Sequence, residues 1–552
     1  MVLSLCGAVA GPASAGTPVG PATGNVLVLL ERDRAVAAAG RAVLDATVAH
    51  LRAHRAGFEV PQIGLITLRP PGGVAPAAFA AVVRKLRGVA SAQVEHRLVP
   101  RAVPNDPALS APDQYSGTLE WTLAHEGFYN AWDISKGGGA LLGVIDTGID
   151  ASHPDLASKI AVAVDQQDPS NARGSAGTDE VGHGTHVASL ACADTGNGIG
   201  MAGAGYDCKM VIEKSDFSDS SIAASIVDAT DRHVGALNMS FGPDTPASAP
   251  PAPDSELRAL DYAASHKVVL VAAAADSAGT QQGDPGNVLQ PSGSGPTLSA
   301  GIGLDVTAAA YDGARASFAG SGTQISMAAY GALSPGSGGV LGLGGPEPGI
   351  FGAFPANTTD IEALPSPCGC RTSFQGSGRY AFLQGTSMAA PQVAAVGAMM
   401  RALNPYASLS EVLTTLKRTA QRPAGSGWTP ELGWGILDAG AALDAIRRVD
   451  RLAPASETRV PRSSRRRTFL VRWSGHDRIV PGLIASGIAR FDIYVRTKGG
   501  QARLIASTAA HQLRFRGRPG SRYVFFAVAI DRAGNREVHP AGATTRVARG
   551  AR

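Results

Sequence analysis

Four short apolar runs constrain this chain most: Leu141–Ile145, Lys209–Glu213, Ala236–Met239 and Val268–Ala274, separated by Gly-rich turns and helical spacing. A strand that is apolar on successive residues must be covered on both faces. A parallel sheet with helices on either side meets that condition. The nearly all-apolar segment Met388–Leu403 predicts a buried helix. The pattern predicts an α/β fold built on a doubly wound, largely parallel sheet. No run approaches the ~20 apolar residues of a spanning helix, which argues against an integral membrane protein. An apolar content of 44% and a mean hydropathy of +0.03 exclude wholesale disorder.

Different patterns flank this region. Residues 25–101 alternate strand-like and helix-like segments: Asn25–Glu31, Ala35–His54, Ile63–Leu68, Ala78–Leu86 and Val89–Leu98. That β-α-β-α-β order predicts a small α+β domain. Val103–Pro107 (VPNDP) breaks regular structure and marks a boundary. Residues 454–548 alternate apolar and polar at Thr468–Trp473, Arg490–Thr497, Arg503–Ser507 and Arg522–Ile530, which predicts an all-β sandwich. Ser334–Arg379 is Gly/Pro-rich with little periodicity and reads as a surface excursion.

Charge is unevenly shared. Pro454–Arg552 holds 20 Lys/Arg against 5 Asp/Glu, a surplus of 15, so the rest of this +4 chain carries −11. A basic face of this kind suits a polyanionic surface, or is only solvated. The cluster Arg462–Arg467 (RSSRRR) reads as a processing site, a polyanion patch or a solvated linker.

Met1–Ala10, followed by Ala13-Ser14-Ala15, has the apolar core and small-residue cleavage site of a signal peptide over residues 1–15, without the basic leader. The reading is of a secreted protein without a membrane span, monomeric. Beyond Cys6, four cysteines remain, and their order favours the pairs Cys192–Cys208 and Cys368–Cys370.

Three segments carry chemistry. Leu142–Gly148 (LGVIDTG) ends an apolar strand in Asp146. Gly182–Ala188 (GHGTHVA) places His183 at the mouth of a helix, with His186 three residues on; a metal pair is the competing reading. Gly385–Pro391 (GTSMAAP) opens the buried helix with Ser387, and Pro391 is expected in its first turn. Singly, these are a turn-capping Asp, a metal-like His pair and an N-cap Ser. Together they supply an acid, an imidazole base and a hydroxyl nucleophile in the order Asp, His, Ser.

On VIDTG (144–148), HGTHVA (183–188) and GTSMAAP (385–391), with GWGILDAGAA (433–442) closing it, the chain resembles the subtilases, the subtilisin-like serine peptidases. The resemblance covers residues 104–449. It implies an endopeptidase acting on protein or peptide substrates, in which Asp146 orients, His183 is the base, Ser387 is the nucleophile and His186 is structural. Residues 25–101 resemble the family's inhibitory propeptide, an intramolecular inhibitor cut off autocatalytically near Leu98–Asn105. Asn238–Gly242 (NMSFG) is similar to the segment that pairs with an extended peptide, implying substrate contacts at Ser240, Phe241 and Gly242. Ala272, Ala273 and Ala274 are similar to a wall of the specificity pocket, for which a broad or apolar preference is expected. Asp155, Asn197 and the backbone carbonyls of Ile199 and Met201 resemble a family calcium site, implying structural calcium. The last domain resembles fibronectin type III-like modules.

One departure stands out. Where the family places an oxyanion-binding Asn, this chain has Asp276, followed by Ser277. An ionised carboxylate cannot donate a hydrogen bond. A protonated Asp276, the Ser277 hydroxyl, or a larger share carried by the Ser387 N–H are the expected remedies. The competing readings are a catalytically weakened scaffold that binds rather than cuts, and a hydrolase of non-peptide acyl groups.

Overall fold

The computed structural model describes residues 22–31, 41–46, 49–50, 53–72, 74–96, 103–113, 116–167, 175–243, 246, 250–334, 349–364, 368–422, 426–497 and 500–552. The expected signal segment, and residues 98–102 of the expected processing stretch, lie outside these. The chain forms two compact units, Met1–Ala102 and Val103–Arg552.

In the first unit, β1 (Ala22–Leu30), β2 (His54–Val60), β3 (Leu65–Arg69) and β4 (Val89–His96) form one sheet in the order β2-β3-β1-β4. Its described pairings are antiparallel. Helix α1 (Pro76–Val83) buries Phe79, Ala80 and Val83 against Val26, Val28, Ile66 and Leu68. The sequence reading carried the preceding helix through His54. The structure starts a strand there instead, an edge strand whose side chains are almost all exposed.

The second unit is built on seven parallel strands: β5 (Leu141–Asp146), β6 (Ile160–Asp165), β7 (Lys209–Lys214), β8 (Ala236–Met239), β9 (Val269–Ala273), β10 (Gly303–Ala309) and β11 (Met327–Tyr330). They lie in the order β11-β10-β9-β8-β5-β7-β6. Alternate residues of each strand enter opposite layers. Leu142, Val144, Met210, Ile212, Val269 and Val271 pack with α2 (His183–Cys192) and the long α5 (Thr386–Leu403). Ile145, Val211, Leu237, Leu270 and Ala272 pack with α3 (Asp219–Asp231) and α4 (Asp254–Ser265). Two apolar layers from one set of strands explain why these runs show no alternation in sequence. This is the doubly wound parallel sheet the pattern predicts.

The segment expected to be a surface excursion includes, where it is described, strands of a three-stranded sheet of which the first is fully buried. β12 (Ile350–Ala353), β13 (Arg371–Phe374) and β14 (Ser377–Leu383) pair antiparallel in the order β12-β14-β13. Phe351 contacts Phe374, Tyr380 and Phe382 at ring-centroid distances of 5.2 to 5.5 Å. These residues are too far apart in sequence to leave a period. The pairs Cys192–Cys208 and Cys368–Cys370 are both disulfide-bonded.

The carboxyl-terminal part is two packed β-sheets: Ala455–Arg459, Thr468–His476 and Gln512–Arg516 in one, and Ser463–Ser464, Ile488–Thr497, Arg503–Thr508, Arg522–Asp531 and Ala543–Val547 in the other. Trp473, Phe491, Ile493 and Phe525 fill the space between them. Ile484 N–H donates to the Arg447 carbonyl (2.8 Å) and Asn535 Nδ2 to the Asp450 carbonyl (3.1 Å), fastening the sandwich to the α/β part.

Candidate active site

β5 ends in Asp146, at the carboxyl edge of the sheet where loops of parallel strands converge. The carboxylate is fully buried. Its Oδ1 accepts from Thr147 N–H (2.8 Å) and lies 2.7 Å from His183 Nδ1. His183 opens α2, and the next residue has to be glycine. A Cβ on Gly184 would stand 2.2 Å from the Gly148 carbonyl oxygen and 3.1 Å from Asp146 Oδ1.

Asp179, which no sequence motif marks, ties this corner together. It accepts from the N–H of Gly182 (2.8 Å) and Thr185 (2.8 Å), and from the hydroxyls of Thr185 (2.7 Å) and Thr147 (2.8 Å). The Thr147 hydroxyl accepts in turn from Gly184 N–H (2.9 Å). An acidic residue just ahead of a helix start was the available signal. Burial pushes the His183 pKa down. The charge and hydrogen bond of Asp146, with the charges of Asp179 and Asp276, outweigh it and leave the imidazole above its usual value.

Ser387 is the second residue of α5, among the unpaired N–H groups of a helix start. Its Oγ donates to the Ser240 carbonyl (3.2 Å), and its own carbonyl accepts from Ser240 Oγ (3.1 Å). Pro391 explains the second bond. It lies in the second turn, not the first as expected, so the N–H that would have bonded Ser387 O is missing. Asp276 links the two halves. Its Oδ1 accepts from Thr386 N–H (2.8 Å) and lies 2.9 Å from Thr386 Oγ1, and its carboxyl acts on His183. A buried acid, an imidazole held by one nitrogen and a hydroxyl at a helix start can together transfer a proton and form an acyl bond.

The subtilase family model, Peptidase S8, matches residues 137–435, more than half of this chain. The chain belongs to the subtilase family. It is 31% identical over 396 residues to an extracellular protease of Xanthomonas campestris pv. campestris, covering 65% of this chain and 59% of that one. Fervidolysin of Fervidobacterium pennivorans is 26% identical over 422 residues, covering 70% and 54% respectively. Thermitase of Thermoactinomyces vulgaris is 28% identical over 306 residues, covering 54% and 86%. This subtilase therefore spans between half and two thirds of the length of the first two relatives.

The other expected residues fall into three groups. Ser240 is buried at the end of β8, Phe241 is half-buried and Gly242 is exposed, an opening edge beside Ser387. Ala273 is half-buried, and the Ala274 carbonyl accepts from Thr386 Oγ1 (2.5 Å). Ala272 does not reach this edge. The pleat turns it into the layer under α3 and α4, where it is fully buried. Ser277 is also not brought to Ser387. It is exposed, and its carbonyl accepts from Gly279 N–H (2.5 Å). His186 is buried, with Nε2 bonded to the Ile350 carbonyl (3.0 Å), and burial lowers its pKa to about 3. It fastens α2 to the β12–β14 sheet.

Two of the expected calcium ligands, the side chains of Asp155 and Asn197, are turned to hydrogen-bond donors in this arrangement. Asp155 is fully buried and faces donors. Its oxygens accept from Asn197 Nδ2 (3.2 Å), Met201 N–H (3.2 Å) and the Tyr380 hydroxyl (3.0 Å). Asn197 Oδ1 is turned to Ile199 N–H (2.7 Å). Calcium needs converging lone pairs, and here N–H and O–H groups converge. Asp106, bonded to Gly196 N–H (2.7 Å), and Glu120, bonded to Ala202 N–H (2.9 Å), hold the two ends of the same loop.

Proposed function

We propose that this subtilase is a serine endopeptidase in which Asp146 orients His183, His183 takes the proton of Ser387, and Ser387 attacks the peptide carbonyl. The observation that carries this is the 2.7 Å contact of Asp146 Oδ1 with His183 Nδ1. It leaves Nε2 for the nucleophile, and Asp276 connects the ring electrostatically to the start of α5. The Ser387 hydroxyl turns from the Ser240 carbonyl to His183 as substrate occupies the edge at Ser240–Gly242; hydrogen bonds of this kind tighten on substrate binding. Peptide backbone pairing at that edge favours peptide over other acyl substrates. The half-buried Phe241 and Ala273 suit an apolar residue before the cut. Residues 25–101 act as the intramolecular inhibitor, and the protein is secreted.

The test is labelling with a serine-directed fluorophosphonate. The native protein carries one adduct, on Ser387, and denatured protein carries none. An unlabelled native protein would return the molecule to the reading of a binding scaffold.

The sandwich is the reading's second part. Arg472, Arg514 and Arg516 stand exposed on one sheet face, with Leu470 opposite Arg514 and Thr468 opposite Arg516. Among the described residues no carboxylate pairs with these three, while Asp492 and Asp531 of this part are buried. Such a face captures a linear polyanion through charge. Retention on immobilised heparin should fall steeply with salt. The triple substitution Arg472→Ser, Arg514→Ser, Arg516→Ser should elute at clearly lower salt; unchanged elution removes this assignment.

A further inference from the structure

The parallel sheet has a second end, away from Asp146 and Ser240. There, where β5, β8 and β9 begin, a cavity of about 280 Å³ opens among the last turns of α3, α4 and α5. The basic residues His233, His266, Lys267 and Arg401 line it, and among the described residues no acidic one does. Val234 and Val268 give it an apolar wall. His233, His266 and Lys267 are exposed, so the cavity reaches solvent. The chain outside the sandwich is net acidic, so this gathering of basic residues is a local reversal of charge.

Two of these residues hold an unusual backbone. His233 (φ +62°) and Lys267 (φ +64°) are left-handed, each just past the end of its helix, where glycine is usual. The helices do not need these side chains as caps. Val234 N–H closes α3 on the Ala229 carbonyl (3.4 Å), and Val268 N–H closes α4 on the Ala263 carbonyl (3.1 Å). Strain accepted at two neighbouring helix ends, each time with a basic residue, points to a use for the side chains. Arg401 adds a half-buried guanidinium. It donates to the Ala407 (2.7 Å) and Pro405 (3.4 Å) carbonyls, and no carboxylate among the described residues pairs with it. Burial lowers its pKa. The carboxylates at the end of α3 are engaged elsewhere, Asp228 with Arg232 and Asp231 with the Tyr262 hydroxyl (2.7 Å). His266 is engaged too, its Nδ1 lying 2.9 Å from the Tyr262 carbonyl. That leaves Arg401, Lys267 and His233 at one cavity without an anion, whereas buried charge is ordinarily paired.

We propose that this cavity binds a small phosphomonoester, its phosphate held by Arg401, Lys267 and His233 and its organic part laid against Val234 and Val268. Arginine offers a planar fork of donors and lysine a compact charge, a combination that suits the several oxygens of a phosphate. The volume lies just below the roughly 300–1,000 Å³ of ordinary small-molecule pockets, so it takes more than the bare ion. A ligand here ties together the ends of α3, α4 and α5. It braces from its far end the helix that opens with Ser387, without approaching the edge at Ser240. The site does not depend on the peptidase reading.

The experiment is isothermal titration calorimetry of the full chain carrying Ser387→Ala, which prevents self-digestion. Glycerol phosphate and inorganic phosphate are titrated separately at constant ionic strength. Glycerol phosphate should saturate at one per chain and bind more tightly than inorganic phosphate. The double substitution His233→Gly, Lys267→Gly should weaken it by on the order of tenfold for each cation removed, the scale of a hydrogen bond to a charged group. Glycine is at ease in left-handed backbone, so this variant should unfold at the same temperature or higher. Lost binding is then not a lost fold, which a change at half-buried Arg401 alone would leave in question. The triple substitution Arg472→Ser, Arg514→Ser, Arg516→Ser should bind as the parent does, which separates the cavity from the basic face of the sandwich. Unchanged affinity in the glycine variant, or no saturable heat with either compound, overturns the site. Tighter binding of inorganic phosphate overturns the organic half of the assignment and leaves the free ion as the ligand.

Discussion

Ser387→Ala leaves this subtilase folded and without measurable amide hydrolysis, a loss on the order of 10⁶-fold, the scale known for triads that act as a unit, subtilisin among them. The fold should be indifferent to the change. Ser387 is half-buried, and its hydroxyl has one recorded partner, the Ser240 carbonyl. Removing a small partly exposed hydroxyl costs at most about 1 kcal/mol, the ordinary value of one neutral hydrogen bond. The same variant reports on the first unit. Wild type made from residue 16 onward should be cut near residues 98–105, and Ser387→Ala should migrate at full length. Amino-terminal sequencing distinguishes the outcomes. A cut that survives in Ser387→Ala would assign processing to another protease.

Asp146→Asn should lower kcat by about 10⁴-fold while the fold persists, as for other triads whose acid becomes an amide. Asp146 Oδ1 sits between two donors, the Thr147 N–H and the His183 ring. An amide turned to donate to Nδ1 drives the ring proton to Nε2, where the base must be empty. An amide turned the other way keeps the hydrogen bond but loses the charge that stabilises the imidazolium. Either way the upward push of Asp146 on His183 is lost, so the acid limb of the rate profile should move to lower pH. A loss below tenfold, or an unmoved acid limb, would mean that Asp146 does not act through His183.

The parallel sheet was legible because double-sided burial leaves apolar runs in strands such as Leu141–Asp146. Its outer members were less so: Ile160–Asp165 is only half-buried and reads as neither a run nor an alternation. The β12–β14 sheet was illegible because its stability comes from aromatic rings brought together across more than twenty residues. At the site, the motif residues could be named from sequence because each ends a strand or opens a helix. Which wall alanine faces the edge depends on strand parity, and that placed Ala273 at the edge and Ala272 in the core. Asp179 could be weighed only after folding set it against Thr147. The calcium expectation rested on residue types, whereas coordination depends on which atom of Asn197 faces Asp155. Asp276 shows the converse: its chemistry was readable as a departure, but its bond to the Thr386 N–H was not.

The missing N–H of Pro391 has a consequence for anyone redesigning this molecule. It frees the Ser387 carbonyl for Ser240 Oγ, while Ser387 Oγ reaches the Ser240 carbonyl, so the proposed nucleophile and the proposed substrate edge are laced by a reciprocal pair of bonds. Loop swaps at 240–242 intended only to change preference will also move the reacting oxygen. Directed evolution of this scaffold therefore starts with selectivity and turnover as a single adjustable trait, and separating them begins at residue 391.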